Sequence, residues 1–395
     1  MIITLNLLPG MQKTSAIYLD YNATTPVDPV VVEAMLPYFT TNFANAASNS
    51  HFPGKIIRDT VTAARTEMAE NLDCEPGELI FTSGATESIN LAIKGVAEMY
   101  ASKGNHIITW ATEHKAVLDS CKSLSKKGLE ITVLPADREG KPDLAELEKA
   151  IRPTTILICM MLANNETGVI MPVEEVAAIA HQSGVIFFCD ATQAPGKMRL
   201  QIPETGADLL CISAHKFYGP KGIGALYIKR KQPRVYLSPL IDGGGHENGL
   251  RSGTLNVPGI IGMSKALTLA NERYWDDTTN YSRLRTLLEQ IVTYNEIGFV
   301  NGSLKDRLPN TSNICFHGIK AASLLSALPN LALATGSACS SALPEPSHVL
   351  TALGLTESES FASVRFSLGR YTTEAEIMEA AMALRENILR LKSED

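Results

Sequence analysis

Apolar segments of strand length alternate with segments of helical periodicity along most of the chain, and this alternation limits the possible folds more than any other feature. The segments that predict strands are residues 79–82, 106–110, 130–135, 155–162, 184–190 and 208–213. The segments that predict helices are residues 58–72, 117–126, 144–151 and 173–183. Strands that alternate with helices predict an α/β fold, with a mostly parallel sheet covered by helices on both faces.

The pattern changes after a long predicted helix at residues 259–272, and the chain ends in another predicted helix at residues 374–391. A chain of 395 residues is too long for a single small core. We therefore expect a large domain at residues 26–265 and a smaller α+β domain at residues 266–395, with residues 1–25 joining the small domain.

Composition excludes several classes of function. The net charge is −7, with both signs spread along the chain, which argues against direct nucleic-acid binding. No apolar run is long enough to cross a bilayer, and no signal peptide is evident. The seven cysteines form no C-x-x-C pair and no zinc-site spacing, so we expect no metal site and a reducing, cytoplasmic location.

Two of the predicted strands lead into charged side chains. The segment 208–213 is followed by Lys216 and a glycine-rich turn, and the segment 184–190 ends in Asp190. Ligands bind at the carboxyl ends of strands in open α/β sheets. A lysine there can form a Schiff base if it is partly deprotonated. Pyridoxal phosphate (PLP) needs this pair: the lysine holds its aldehyde, and the carboxylate keeps its ring nitrogen protonated. The alternative is a surface lysine that opens a loop.

Polar loops follow other predicted strands. Ala85 and Thr86 open a helix, and they indicate either a phosphate cup or an ordinary helix cap. His114 follows the strand at 106–110, where it either stacks on a flat cofactor ring or packs as an ordinary histidine. Asn165 follows the strand at 155–162, where it either binds a ring oxygen or substrate carboxylate or belongs to a turn.

Three later features complete the set of candidates. The glycine-rich loop at 243–254 includes Thr254. The backbone of this loop either approaches an anion, which can belong to another subunit, or is simply flexible. Cys339 lies among Ser, Gly, Ala and Pro residues in a loop, where an exposed thiol is a liability unless it is used. Arg365 lies inside an apolar strand and needs an anionic partner, either a substrate carboxylate or an internal acid.

In combination and in this order, these motifs make the chain resemble the cysteine desulfurases of the NifS/IscS type, within the class V, fold-type I PLP enzymes. The resemblance runs from about residue 18 to about residue 391. It implies a large domain with a seven-stranded-type, mostly parallel sheet and a small domain that carries the cysteine loop. The matching segments are residues 19–26, 82–87, 112–117, 164–168, 190–193, 213–224, 243–254, 336–339 and 365–370.

The resemblance implies roles for the residues that bind the cofactor. Lys216 is similar to the Schiff-base lysine and proton shuttle, and Asp190 to the partner of the ring nitrogen. Gln193 is similar to the donor to the ring phenolate oxygen, and His114 to the histidine that stacks on the ring. The remaining cofactor-binding residues implied are Ala85, the phosphate ligands Thr86, Ser213 and His215, Asn165, and Thr254 from the other subunit of a homodimer.

For the reaction, the resemblance implies that Asn165 and Arg365 hold the carboxylate of L-cysteine, and that the Cys339 thiolate takes its sulfur as a persulfide. The products are L-alanine and sulfur, which passes to an acceptor protein for iron–sulfur cluster assembly or tRNA thiolation. The alternatives are a selenocysteine lyase or another PLP-dependent lyase of the same fold, and a sulfur carrier that has lost the chemistry.

Overall fold

The computed structural model describes residues 16–335 and 345–394. Twelve strands lie within these residues. In chain order they are β1 (Ile17–Tyr18), β2 (Leu79–Thr82), β3 (His106–Trp110), β4 (Glu130–Leu134), β5 (Thr155–Met161), β6 (Ile186–Asp190), β7 (Leu209–Ser213), β8 (Gly224–Ile228), β9 (Gly298–Val300), β10 (Thr311–Phe316), β11 (Leu331–Ala332) and β12 (Ser363–Ser367).

The largest sheet in the described residues has seven strands in the order β2-β8-β7-β6-β5-β3-β4. The neighbours from β4 through β3, β5 and β6 to β7 are parallel, whereas β8 is antiparallel to both β7 and β2. The predicted α/β fold with a mostly parallel sheet is therefore confirmed. The antiparallel strand follows the turn after Lys216, because a short glycine-containing connection returns the chain beside the strand that it has just left.

Helices cover both faces of this sheet. The α-helices of the described residues are α1 (Pro29–Met35), α2 (Pro37–Thr40), α3 (Phe52–Leu72), α4 (Ala85–Met99), α5 (Lys115–Ser125), α6 (Leu144–Ala150), α7 (Val173–Gln182), α8 (Ile202–Thr205), α9 (Val257–Glu272), α10 (Tyr274–Val292), α11 (Ala321–Ala327), α12 (His348–Ala352), α13 (Glu357–Phe361) and α14 (Glu374–Glu394). One apolar core contains residues of α4 and α5, and the other contains residues of α3, α7 and α9. Phe187 and Phe188, consecutive on β6, lie in opposite cores, as the alternation of side chains along a strand requires.

Helix α3 begins six residues earlier than the sequence pattern predicts. Phe52 is 73% exposed, so the first turn contributes little to the apolar periodicity on which the prediction rests. His51 caps this helix by accepting the backbone N–H of Gly54, and a proline occupies the first turn. The cap and the proline, rather than burial, therefore set the start of this helix.

A second, three-stranded antiparallel sheet has the order β12-β10-β9 and packs with α10 and α14. Helix α14 buries one apolar face there, formed by Ile377, Ala380, Ala381, Leu384 and Ile388. The core around this sheet also contains Ile17 of β1 and Leu19 just after it, and β1 pairs in parallel with β11. The predicted domain boundaries at residues 25 and 265 stay predictions.

The carboxyl ends of β5, β6 and β7 lie at one edge of the large sheet. Met161 is paired in register with Asp190, and Asp190 with Cys211, two residues before the end of β7. Ligand sites form at this edge of parallel sheets, because the loops that follow neighbouring strands meet there. None of the helices in the described part of the chain combines the length and the apolar character that crossing a membrane would require.

Candidate active site

A cavity of about 980 Å³ opens at the carboxyl ends of these strands. Ten of the residues that the sequence predicts as site residues line it, although they are spread over some 280 positions of the chain. They are Ala85, Thr86, His114, Asn165, Asp190, Gln193, Ser213, His215, Lys216 and Arg365. The structure thus brings into one cavity residues that the sequence places in six separate segments.

Lys216 ends a short 3₁₀ turn that follows β7, and its amine is held by backbone carbonyls. Its Nζ donates to the carbonyl oxygen of Asn22 at 2.7 Å and to that of Ala23 at 2.8 Å. Burial, followed by the positive charge of Arg365, lowers the pKa of Lys216 from 10.5 to about 8. Near neutral pH a substantial fraction of this lysine is a free amine, the form that attacks an aldehyde.

Asp190 is the last residue of β6 and is buried, with 6% of its surface exposed. Its Oδ1 accepts the backbone N–H of Thr192 at 2.9 Å and the thiol of Cys211 at 3.5 Å. These contacts fix the carboxylate at the strand end that faces the cavity. A carboxylate held in this way is suited to pair with a protonated ring nitrogen.

The turn between β2 and α4 forms a cradle for an anion. Gly84 is the N-cap residue of α4 and has a φ of +150°. Because glycine has no side chain, no side-chain cap accepts the first N–H groups of α4 in the described structure. A Cβ on Gly224 of β8 would lie 2.7 Å from the Cα of Gly84, so glycine is needed where the two backbones cross. The uncapped N–H groups and the Thr86 and Ser213 hydroxyls at this turn are donors suited to a phosphate.

His215 borders the same cradle and is uncharged at neutral pH. Its Nδ1 lies 3.1 Å from the hydroxyl of Thr24. Burial, with the positive charges of Lys216 and Lys221 next, lowers the pKa of His215 to about 4. The neutral ring keeps one N–H that can be donated to an anion without adding a charge beside Lys216.

His114 caps helix α5, and this contact fixes its ring. Its Nδ1 accepts the backbone N–H of Ala116 at 3.1 Å, which leaves the proton of the neutral ring on Nε2. Desolvation is the largest effect on its pKa and lowers it, whereas the negative charge of Asp190 opposes the shift. A neutral, oriented imidazole over the cavity is suited to stack on a flat ring.

The preceding residue, Glu113, is fully buried and supports this position. Its Oε1 accepts the backbone N–H of Met161 at 2.7 Å, and burial raises its pKa well above the usual range. The carbonyl oxygen of Glu113 lies 2.9 Å from Nε2 of His348, at the start of α12. This network joins the ends of β3 and β5 beside the cavity.

Arg365 points into the cavity from β12, and the structure supplies the internal acid that was the alternative to a substrate carboxylate. Its Nη2 donates to Oδ1 of Asp20 at 2.5 Å, and its Nη1 to the carbonyl oxygen of Asn165 at 3.1 Å. Its Nε is buried and has no hydrogen-bond partner among the described residues. Arg365 therefore forms an internal ion pair, and its side chain also lines the cavity, where a guanidinium is suited to a bound carboxylate.

Two predicted site residues do not lie in this cavity as described. Thr254 is exposed and is not among the residues that line the cavity of its own chain. Cys339 falls in residues 336–344, outside the described residues. The residues that flank this segment, Thr335 and Glu345, both line the cavity.

The cavity also includes residues to which the sequence analysis assigned no role. Asp20 and Asn22 lie in the segment 19–26, and Glu166 lies in the segment 164–168, so the motifs contained them without indicating their contacts. The Oε2 atom of Glu166 accepts the hydroxyl of Ser347 at 2.6 Å. Burial raises the pKa of Glu166 from 4.5 to about 7.

The chain belongs to the class-V aminotransferase family, which it matches over residues 17–379. Among curated proteins it is 50% identical over 380 residues to the cysteine desulfurase IscS of Anaeromyxobacter dehalogenans (strain 2CP-C), covering 95% of this chain and 93% of that protein. Among solved structures it is similar to a NifS-like protein, with a TM-score of 0.88, 36% identity and coverage of 94% of this chain and 99% of the other. It is also similar to SspA in complex with cysteine, with a TM-score of 0.79, 36% identity and coverage of 90% and 99%.

Proposed function

We propose that the chain is a PLP-dependent cysteine desulfurase that converts L-cysteine into L-alanine and takes the sulfur onto Cys339 as a persulfide. The observation that carries this proposal is the pairing of Lys216, with its lowered pKa, and the buried carboxylate of Asp190 in one cavity. The relatives named cysteine desulfurase support the assignment of the substrate.

The described residues fit PLP. The cradle of Gly84 and Gly224 offers uncapped N–H groups to a phosphate, with Thr86, Ser213 and His215 around it. Lys216 would hold the aldehyde, Asp190 the ring nitrogen, Gln193 the ring oxygen and His114 the face of the ring. When bound, PLP supplies a ring that absorbs the negative charge left on the substrate Cα when its proton is removed.

The residues of this chain bind the substrate and move its proton. Arg365 would bind the cysteine carboxylate through its guanidinium, and Asn165 would hold the same carboxylate through its amide. Lys216, once released from the aldehyde, would take the Cα proton onto Nζ as a general base, since its pKa is near neutral. The carbonyl oxygens of Asn22 and Ala23 would then hold the protonated amine.

The sulfur transfer is balanced between the substrate and one protein thiol. The Cys339 thiolate attacks the substrate sulfur, so that an S–S bond forms while the bond between Cβ and sulfur breaks. The electron pair of the broken bond stays with the carbon fragment, which gains a proton and leaves as alanine. The overall reaction is L-cysteine plus the thiol of Cys339 giving L-alanine plus the persulfide.

The proposed partners are a second copy of this chain and a sulfur acceptor. The exposed Thr254 would reach the phosphate in the partner subunit of a homodimer. The persulfide would pass to an acceptor protein for iron–sulfur cluster assembly or tRNA thiolation. Because this transfer uses a reduced thiol, we place the protein in the cytoplasm.

The test is the release of alanine from L-cysteine by the native chain and by Cys339→Ala, with and without a thiol reductant. We expect alanine from the native chain only, with sulfide appearing when the reductant is present. Cys315→Ala, which removes a buried thiol in β10, is the matched control and should keep the activity. Alanine from Cys339→Ala at the native rate would refute the role of the thiol and favour a lyase.

A further inference from the structure

Lys197 is a buried lysine that faces an amide rather than a carboxylate. Only 6% of its surface is exposed, and its Nζ donates to Oε1 of Gln193 at 2.6 Å. Burial, followed by the positive charges of Lys216 and Arg365, lowers its pKa well below the usual range. A buried lysine in this setting is costly to the fold, so its position calls for another explanation.

The side-chain amide of Gln193 has one orientation, which two hydrogen bonds define. The Nζ of Lys197 donates to Oε1 of Gln193, so the amide oxygen faces Lys197. The Nε2 of Gln193 donates to the carbonyl oxygen of Asn22 at 3.0 Å, and that oxygen can only accept. The Asn22 carbonyl therefore requires this orientation of the amide, and the donor of Lys197 stabilises the same orientation.

This orientation matters because Gln193 lines the cavity. One N–H of its amide is bound by the Asn22 carbonyl, which also accepts Nζ of Lys216 at 2.7 Å. The second N–H is left for a group inside the cavity. A reversed amide would present its oxygen instead, and an oxygen would repel the anionic phenolate that Gln193 is proposed to bind.

We propose that Lys197 is a positioning residue that holds the amide of Gln193 with an N–H toward the ring oxygen of the cofactor. This inference rests on the proposed function, because it needs a cofactor with an anionic oxygen at that place. Lys197 itself contacts no reacting atom in this assignment and acts only through Gln193.

The experiment titrates the cofactor-free full chain with PLP and records the dissociation constant and the absorption maximum of the bound cofactor. The variant Lys197→Met keeps the length of the side chain but removes the donor, whereas Lys197→Gln restores a donor. Each is made in the native chain and in Gln193→Leu. Lys229→Met is the matched control, since Lys229 pairs with Asp208 and does not line the cavity.

We expect Lys197→Met to weaken PLP binding about fivefold, as the loss of one oriented hydrogen bond predicts, and to shift the absorption maximum. Lys197→Gln should recover part of both effects, and Lys229→Met should show neither. In the Gln193→Leu background, Lys197→Met should change nothing further, because the residue it positions is absent.

An unchanged affinity and spectrum in Lys197→Met would overturn the inference. An equal effect in both backgrounds would also overturn it, since Lys197 would then act on the cofactor independently of Gln193. If Lys197→Met does not fold, Lys197→Gln in the two backgrounds decides the same question through its spectrum. A native chain that binds no PLP would instead refute the proposed function.

Discussion

The lowered pKa of Lys216 leads to a quantitative prediction about how fast the cofactor-free chain captures an aldehyde. Only the free amine attacks, so the rate follows the fraction of Lys216 that is deprotonated. With a pKa of 10.5, ~0.03% of the lysine would be free amine at pH 7. With a pKa of about 8, the fraction is ~10%. The structure therefore predicts capture ~300-fold faster at pH 7 than by an ordinary lysine.

The pH dependence and one substitution test the cause of this shift. Burial is its largest cause and the charge of Arg365 the next, while Asp190 and Asp20 oppose them. Removing the cation in Arg365→Met should raise the pKa of Lys216 and move the capture profile to higher pH. Arg138→Met removes an exposed arginine that does not line the cavity and is the matched control.

The assay mixes the cofactor-free chain with PLP across the pH range and follows the absorbance of the Schiff base by stopped flow. We expect the rate to rise about tenfold per pH unit below pH 8 and to level off above it. A profile that still rises at pH 10 would refute the reasoning, because Lys216 would then titrate as an exposed lysine. An unchanged midpoint in Arg365→Met would refute the contribution of that charge.

Two further predictions concern Arg365 and Glu166. Arg365→Lys keeps the charge but loses the guanidinium geometry, so KM for L-cysteine should rise about tenfold with PLP affinity unchanged; an unchanged KM would contradict this. Glu166 has a folded pKa of about 7, above its ordinary 4.5, so its contribution to stability is complete below pH 4.5 and is lost as the pH rises to 7. The free energy of unfolding of the native chain, measured with denaturant, should therefore fall by ~3 kcal/mol between pH 4.5 and 7 through this group, and Glu166→Gln should lack that fall. A pH profile of Glu166→Gln identical to that of the native chain would contradict the assignment.

The sequence pattern predicts six of the seven strands of the large sheet, all but β8, and most of the cavity, because these depend on local signals. A continuous apolar run followed by a polar residue predicts a buried strand and its end, and the ends of β5, β6 and β7 lie where these runs stop. Asp190 is the last residue of one such strand, and Asn165 and Lys216 follow the ends of two others. Since parallel strands share one carboxyl edge, the order of elements was enough to predict that these residues meet.

Contacts between distant segments were beyond that kind of prediction. The ion pair of Asp20 and Arg365 joins residues 345 positions apart. From the sequence one can predict only that a buried arginine needs an anionic partner, and not which residue provides it. Lys197 resembles any lysine after a strand until the structure shows it buried against Gln193. Burial of a charged side chain depends on the whole fold, so no local pattern reveals it.

Asn22 shows why the cavity depends on both sheets at once. Its carbonyl oxygen accepts Nζ of Lys216, while its side chain bonds Thr311 of β10 and Asn310 just before it, and its backbone N–H donates to Ser367 of β12. The second sheet therefore fixes the carbonyl that holds the lysine of the first. Because each hydrogen bond tolerates only a few tenths of an ångström, a shift of β10 or β12 would weaken the acceptor of Lys216 before it changed any residue of the large sheet. The position of the lysine amine thus depends on packing against a part of the chain that contains none of its neighbours in sequence.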